Sequence, residues 1–347
     1  MQRLLVIILL MLAMVSGRSD PAGAEKRLCI GITLHPYYSF VKNIVGDRAD
    51  VEPLIGAGFN PHSYEPQPND IKRVMEMDAI VINGIGHDDF VFEIIEAARM
   101  KEKLHVIYAN KAVALIPIPG TDPADKIVDS HTFVSITTSI QQIYNICAEL
   151  TKIDPENAAI YRKNAGSYAL RLRRIKAGYM KKLADIPDID FRCATMHGGY
   201  SYLLQEFGLE VTSVIEPRHG LKPTASQLRA TIDLIKETGV NMVFSEMNFP
   251  DKYIDTIREA TGVRLYTFSH ITGGEYTAEK FEEDMIHNLD TLTTALIDAY
   301  YQKEKIDAGD NGKNAGPLPR ETSQKRKKEK QYDGNKGESD PGSDDLL

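Results

Sequence analysis

Three histidines stand where a predicted strand or helix meets a loop. His62 lies in a turn-rich segment, His131 directly precedes a predicted helix, and His197 follows a predicted strand. Because ligand sites in open α/β sheets form beyond the carboxyl ends of the strands, the positions of His62 and His197 suit a binding site. Imidazole is the commonest metal ligand, and three imidazoles suit Zn²⁺ better than Mn²⁺ or Mg²⁺, which favour oxygen.

The other histidines have no such placement. A single loop histidine is more often a surface residue than a ligand, and we expect surface positions among the following: His35, His87, His105, His219 and His287. The chain has no CxxC or HExxH spacing, so spacing by itself does not establish a zinc site. Three cysteines exclude a disulfide scaffold. The sequence also lacks the GxSxG motif that is typical of serine hydrolases.

The elements that must position these histidines alternate between strands and helices. Short apolar runs rich in β-branched residues predict eight strands. Helical patterns separate most of them, which favours βαβ units, mostly parallel sheets and an α/β fold. The predicted strands are Leu28–Leu34, Val51–Ile55, Asp78–Asn83, His105–Tyr108, Phe191–Thr195, Glu210–Ile215, Asn241–Ser245 and Val263–Phe268.

A long helix divides this alternation into two halves. Asp154 and Pro155 provide an N-cap and an N1 proline, and apolar residues follow at near-helical spacing to about residue 184. A helix of roughly 30 residues is about 45 Å long. We therefore predict two lobes, each with a mostly parallel four-stranded sheet flanked by helices, joined by one long rigid helix. The predicted boundaries are 25–150 for the first lobe, 151–186 for the linking helix and 187–302 for the second lobe.

The two ends of the chain differ from the lobes. Residues 1–24 resemble a cleaved signal peptide: Arg3 precedes an apolar run of 12 residues, and an Ala-Gly-Ala site follows. That run is too short to span a ~30 Å hydrocarbon core, so we expect no membrane span in the mature chain. Cys29 follows Lys-Arg-Leu, which disfavours lipid attachment. Residues 303–347 are rich in Gly, Asn, Lys and Asp, which predicts a disordered charged tail.

Composition narrows the function. The 347 residues carry 49 acidic and 41 basic side chains, a net charge of −8 that argues against a nucleic-acid-binding protein. A hydrophobic content of 42% is enough for packed cores. The length favours two domains, because single cores stop growing near ~250–300 residues.

One segment is similar to a known signature. Residues 60–70 read Asn-Pro-His-Ser-Tyr-Glu-Pro-Gln-Pro-Asn-Asp, which resembles the N-P-H-x-Y-E-P-x-P-x-D pattern of the zinc/manganese substrate-binding proteins of ABC importers. Segments 83–86 and 244–248 are also similar to that family, and the resemblance runs from about Leu28 to Tyr300. It implies that His62 and His131 come from the first lobe and His197 from the second. Manganese members tend to have a carboxylate at the third position, so the resemblance favours Zn²⁺ as the transported ligand over Mn²⁺.

The fourth ligand position departs from the family pattern. The family has an aspartate after the last strand of the second lobe, whereas Ser269 stands near that position here and His270 follows it. We take His270 as the fourth candidate ligand, with Glu275 and a bound water as alternatives. Glu65 or Glu246 could accept a hydrogen bond from a ligand imidazole. The loop between residues 116 and 130 has three aspartates but no histidine cluster.

The resemblance implies a periplasmic binding protein, not an enzyme, that captures zinc between two lobes. Its partner would be the membrane permease of an ABC importer, and we expect a monomer. Two alternatives stay open. A zinc-dependent hydrolase would need a carboxylate base beside the bound water, for which Glu65, Glu246 and Glu275 are the candidates. A metal-stabilised adhesin would hold the ion without exchanging it.

Overall fold

The computed structural model describes residues 27–310, apart from 58, 60, 62–63, 119–126, 185, 187–188, 216–223 and 247–250. The predicted signal peptide, His62, His219 and the tail from residue 311 therefore lie outside the described residues. Within the described part of the chain, we find no helix both long enough and apolar enough to cross a membrane.

The first four strands form one parallel sheet in the order β2-β1-β3-β4. Successive residues of β3 enter different apolar clusters: Val81 joins one, and Ile80 and Ile82 join the other. Both faces of this sheet are therefore covered, as expected for parallel strands. The elements are β1 (Leu28–Ile32), α1 (His35–Val45), β2 (Ala49–Pro53), α2 (Pro68–Glu76), β3 (Ala79–Ile82), α3 (Phe90–Ala97), β4 (His105–Tyr108) and α4 (Ile136–Ile153).

The last four strands repeat this arrangement in the order β6-β5-β7-β8, again parallel. Its edge strand β6 is partly open to solvent, since its residues alternate between half-buried and exposed. The elements are β5 (Cys193–Thr195), α6 (Ser201–Glu206), β6 (Val211–Val214), α7 (Ala225–Thr238), β7 (Met242–Glu246), α8 (Asp251–Thr261), β8 (Arg264–Phe268) and α9 (Lys280–Asp310).

One 27-residue helix, α5 (Ala158–Ala184), lies between the two sheets in the chain and is about 40 Å long. Tyr161, Tyr168 and Leu172 bury one of its faces in the main core. Each fully buried side chain of this size stabilises the fold by about 1.5–3 kcal/mol. Near its other end, Lys176 forms an ion pair with the buried carboxylate of Glu206 at 3.0 Å. The helix is therefore fixed to both halves of the molecule.

The structure confirms the predicted α/β class with two four-stranded parallel sheets. Each predicted strand overlaps an observed one, and the largest difference is β2, which is observed at Ala49–Pro53 and not at Val51–Ile55. The linking helix begins at Ala158 because residues 155–157 form a turn, in which Asp154 accepts a hydrogen bond from the Asn157 N–H. Helix α9 continues through residues 303–310, where good helix formers precede Gly309. The lobe boundaries themselves stay predictions.

Candidate metal centre

His131 stands in the first lobe at the start of a short 3₁₀ turn, Thr132–Val134. Its Nδ1 lies 2.7 Å from Oδ1 of Asp129, and its backbone N–H donates to the same oxygen at 3.0 Å. An ionised carboxylate can only accept, so Nδ1 must carry the ring hydrogen. The Nε2 lone pair is then available as a ligand, which is how carboxylates orient metal-binding histidines.

Two histidines of the second lobe meet His131. His197 follows β5 and His270 follows β8, each just beyond the carboxyl end of its strand. One ligand nitrogen from each of the three rings lies within 4.8 Å of the other two. All three side chains are buried, with 6–8% of each residue exposed. The structure thus brings together three of the four predicted ligands, and the fourth, His62, lies outside the described residues.

The rings of His131 and His197 are in direct contact. Nε2 of His131 lies 2.8 Å from Nε2 of His197. Since the His131 hydrogen is on Nδ1, a neutral His197 is the donor of this hydrogen bond. Imidazole nitrogens bound to one tetrahedral Zn²⁺ at 2.0–2.1 Å are about 3.4 Å apart. An ion bound here would replace this hydrogen bond and increase the distance between the two nitrogens by roughly half an ångström.

The rings leave no space for a side chain at Gly199. A β-carbon there would lie 2.8 Å from Cδ2 of His131 and 2.9 Å from Cδ2 of His197. The preceding glycine, Gly198, has no such neighbour within 4 Å. Glycine is therefore needed at position 199, where a side chain would keep the rings of His131 and His197 apart.

His87 belongs to the same region, although its sequence context did not make it a candidate ligand. It is only 2% exposed, and its ring centroid lies 4.8 Å from that of His131 and 6.5 Å from that of His270. His35 is also buried, stacked on Tyr276 at 4.4 Å. The expected surface positions are found for His105 and His287, which are exposed, and not for these two residues. For His87, the available signal was its position in the loop that follows β3.

The acidic candidates are placed less favourably. Glu65 and Glu275 are exposed, whereas Asp129 is the carboxylate that contacts a cluster histidine. Glu246 is half-buried near Tyr200; burial raises the pKa of Tyr200 well above its usual value, and the charge of Glu246 adds to this effect. Among the described residues, the group that can hold a metal consists of histidines alone.

Comparison with known proteins gives a consistent picture. The family profile described as "ZnuA: Zinc-uptake complex component A periplasmic" matches residues 30–295. The fold is similar to that of the SBP FpvC of Pseudomonas aeruginosa in complex with Ni²⁺, with a TM-score of 0.73 and 49% identity over 84% of this chain and 100% of that chain. For the Mn²⁺ complex of FpvC the TM-score is 0.73, with 52% identity over 79% of this chain and 99% of that chain.

Two curated relatives are named for different metals. The chain is 26% identical to the manganese ABC transporter substrate-binding lipoprotein PsaA of Streptococcus mitis, over 84% of this chain and 96% of the relative. It is 27% identical to the zinc-binding protein AdcA of Streptococcus pyogenes, over 82% of this chain and 60% of the relative. The names of these relatives therefore agree on metal binding and disagree on which metal.

Proposed function

Because the chain belongs to the ZnuA family of zinc-uptake components, we propose that it is the substrate-binding receptor of an ABC importer. It captures a divalent transition-metal ion between its two lobes and delivers it to a membrane permease. The observation that carries this proposal is the convergence of His131 from the first lobe with His197 and His270 from the second in one buried cluster. A binding protein that must release its cargo benefits from ligands on two bodies, because separation of the bodies dismantles the site.

The proposed cargo is Zn²⁺. Imidazole suits zinc, nickel, iron and copper, whereas Mn²⁺ prefers carboxylate, carbonyl and water oxygen. The ligand set that we propose is His62, His131, His197 and His270. Its fourth member is favoured over Glu275 because His270 is buried in the cluster and Glu275 is exposed. A structural ion in a metal-stabilised adhesin would use the same residues, so exchange of the ion separates the two functions.

Binding also depends on protons. An imidazole must be neutral to bind a metal, so affinity should fall as the pH drops below about 6.5. We propose that the predicted signal peptide directs the protein to the periplasm. The negative net charge of −8 favours the approach of cations, though salt screens it over ~8 Å.

The test is metal affinity measured by chelator competition with Zn²⁺, Ni²⁺ and Mn²⁺ on the mature chain. We expect His131→Ala and His197→Ala each to weaken Zn²⁺ binding at least 100-fold, since outer partners alone account for 10–100-fold. His105→Ala is the matched control, because His105 is an exposed histidine at the start of β4.

Two results would contradict the proposal. The first is an unchanged zinc affinity in both cluster variants. The second is an ion that remains bound over hours in the presence of excess chelator, which would favour a structural role. Light scattering on the same sample tests the expected monomer.

A further inference from the structure

A fourth histidine ring lies against the three-histidine cluster. The ring of His87 meets that of His131 edge-on, with an interplanar angle of 83°. Its plane is nearly parallel to that of His270, at an angle of 25°. Among the three cluster rings, the centroids are 4.6–5.1 Å apart. The 4.8 Å between His87 and His131 falls within that range.

The orientation of His87 repeats that of His131. Nδ1 of His87 lies 3.0 Å from Oγ of Ser130, just as Nδ1 of His131 lies 2.7 Å from the carboxylate of Asp129. Two consecutive residues of one loop thus hold the Nδ1 atoms of two neighbouring imidazoles. A hydrogen bond at one ring nitrogen is the usual arrangement for a histidine that binds a metal through the other.

The loop that carries His87 is fixed by a buried carboxylate. Asp88 is fully buried and accepts hydrogen bonds from the backbone N–H groups of Asn83 at 2.6 Å and Gly84 at 3.0 Å. The hydroxyl of Thr33 donates to the same carboxylate. Burial raises the pKa of Asp88, and these three donors lower it in part. Burying a carboxylate costs free energy, so the buried Asp88 indicates that residues 83–88 are held in one defined conformation.

We propose that His87 is a further ligand of the ion held by His131, His197 and His270. This inference rests on the proposed function, because it extends the same site. His87 is not a member of the group whose nitrogens lie within 4.8 Å of one another. Ligation therefore requires its ring to move toward the ion when the metal binds.

The additional imidazole narrows the expected class of cargo. With His87, the described residues supply four imidazoles, and imidazole suits zinc, nickel, iron and copper. Mn²⁺ prefers oxygen ligands and gains nothing from a further imidazole. The site is thus suited to late transition-metal ions such as Ni²⁺ and Zn²⁺.

The decisive experiment is a crystal structure of the Ni²⁺-loaded protein combined with Ni²⁺ affinity of His87 variants. We expect a His87 nitrogen about 2.1 Å from the ion. We also expect His87→Ala to weaken Ni²⁺ binding at least 10-fold, since loss of an outer partner alone costs 10–100-fold. His87→Asn retains a donor for Ser130 and guards against a folding defect, and it should weaken binding to a similar extent.

The controls separate this inference from the proposed function. His105→Ala should leave Ni²⁺ affinity unchanged, and His131→Ala should lower it strongly. Unchanged affinity in both His87 variants, or a His87 nitrogen more than 3 Å from the ion, would overturn the role of His87 alone. Failure of the parent protein to bind any metal would instead overturn the proposed function.

Discussion

Both lobes build a four-stranded parallel sheet in which the first strand lies between the second and the third, and both contribute histidines to the cluster. They hold these histidines differently. In the first lobe, His131 and His87 rest on a network of buried polar side chains. In the second lobe, the Asn288 side chain clamps the backbone beside His270, and His197 is followed by two glycines.

The network of the first lobe connects α1 and α4 with three loops. The Gln142 side chain of α4 donates to Asn110 at 2.8 Å, and Asn110 donates to the backbone carbonyl of Asn83 at 3.0 Å. The Asn83 side chain donates in turn to the carbonyl of Ser130 and to the hydroxyl of Tyr37, both at 3.1 Å. The network therefore fixes the loop that contains Asp129, Ser130 and His131.

The clamp of the second lobe is smaller. The side-chain oxygen of Asn288 accepts from the N–H of Ser269 at 2.6 Å, and its amide donates to the Ser269 carbonyl at 2.9 Å. The loop after His270 also contacts the first lobe, where Ser39 donates to the carbonyl of Thr277 at 2.8 Å. The difference indicates a preorganised half-site in the first lobe, onto which the second lobe brings more adjustable ligands.

The largest expected effect breaks the network itself. Asn83→Leu keeps the branched shape of the side chain but removes the donors to Ser130 and Tyr37. The Ser130 carbonyl loses this donor, whereas Tyr37 still accepts from Gln142 at 3.4 Å. At 1–3 kcal/mol for an unsatisfied buried group, the free energy of unfolding should fall by about 2–3 kcal/mol. Urea denaturation measures this change.

The matched control is Asn145→Leu, since Asn145 also donates to two carbonyls, of Ala109 and Lys111, but is only half-buried. It should cost about 1 kcal/mol or less, because water can satisfy the released groups. Equal losses in the two variants would mean that the first-lobe network is no more important than an ordinary surface contact.

The next effect removes the charge that orients His131. Asp129→Asn can still accept from the ring at Oδ1, but a neutral amide makes the imidazole a weaker ligand. Zinc affinity should fall about 10-fold to 100-fold. Chelator competition measures it, with Asp298→Asn as the control, since Asp298 lies on α9 and accepts a hydrogen bond from Tyr266 of β8. An unchanged affinity would show that the first-lobe half-site does not depend on this carboxylate.

The sequence predicts the architecture well because each strand is a distinct apolar run and residues 158–184 form a long segment without proline. The three clustered histidines are also readable, because His131 directly precedes a helical turn and His197 and His270 follow strands. The rest depends on packing between distant segments. His87 becomes buried only because residues 83–88 fold against Ser130, which is 43 positions away. Asp129 reaches His131 only through the local turn before α4.

A smaller effect tests whether the second lobe can disturb the first. In Gly199→Ala, the new β-carbon would lie under 3.0 Å from both the His131 and the His197 rings, so one ring must shift. We expect zinc affinity to fall about 10-fold, at the lower end of the 10–100-fold range for partners around a metal site. No donor atom is removed, so the loss would be purely steric.

Gly198→Ala is the adjacent control, because a β-carbon there meets nothing within 4 Å. It should bind zinc like the parent protein. If Gly199→Ala also binds zinc normally, one ring can shift without loss of affinity. That result would contradict a preorganised half-site in the first lobe.

The smallest effect concerns His35, a first-lobe residue that contacts the second-lobe loop after His270. Its Nε2 lies 3.2 Å from the carbonyl of Gly274. Burial lowers its pKa below 6.5. The Gly274 carbonyl and Asp284 raise it to a smaller extent, and the charge of Lys280 lowers it further. The folded chain therefore binds this proton less readily than the unfolded chain. The stability that the neutral ring contributes is present above pH 6.5 and is lost as the pH falls toward the folded-state pKa.

His35→Gln retains an amide donor for Gly274 but cannot take up a proton. In metal-free protein, the free energy of unfolding should therefore fall less between pH 7.5 and pH 5.5 in this variant than in the parent. The remaining histidines titrate in both proteins, so the difference between the two losses isolates His35. His105→Gln, at an exposed histidine, should follow the parent. If the two losses are equal, the contact between α1 and the His270 loop does not respond to pH, and the second-lobe ligands are held as firmly in acid as at neutral pH.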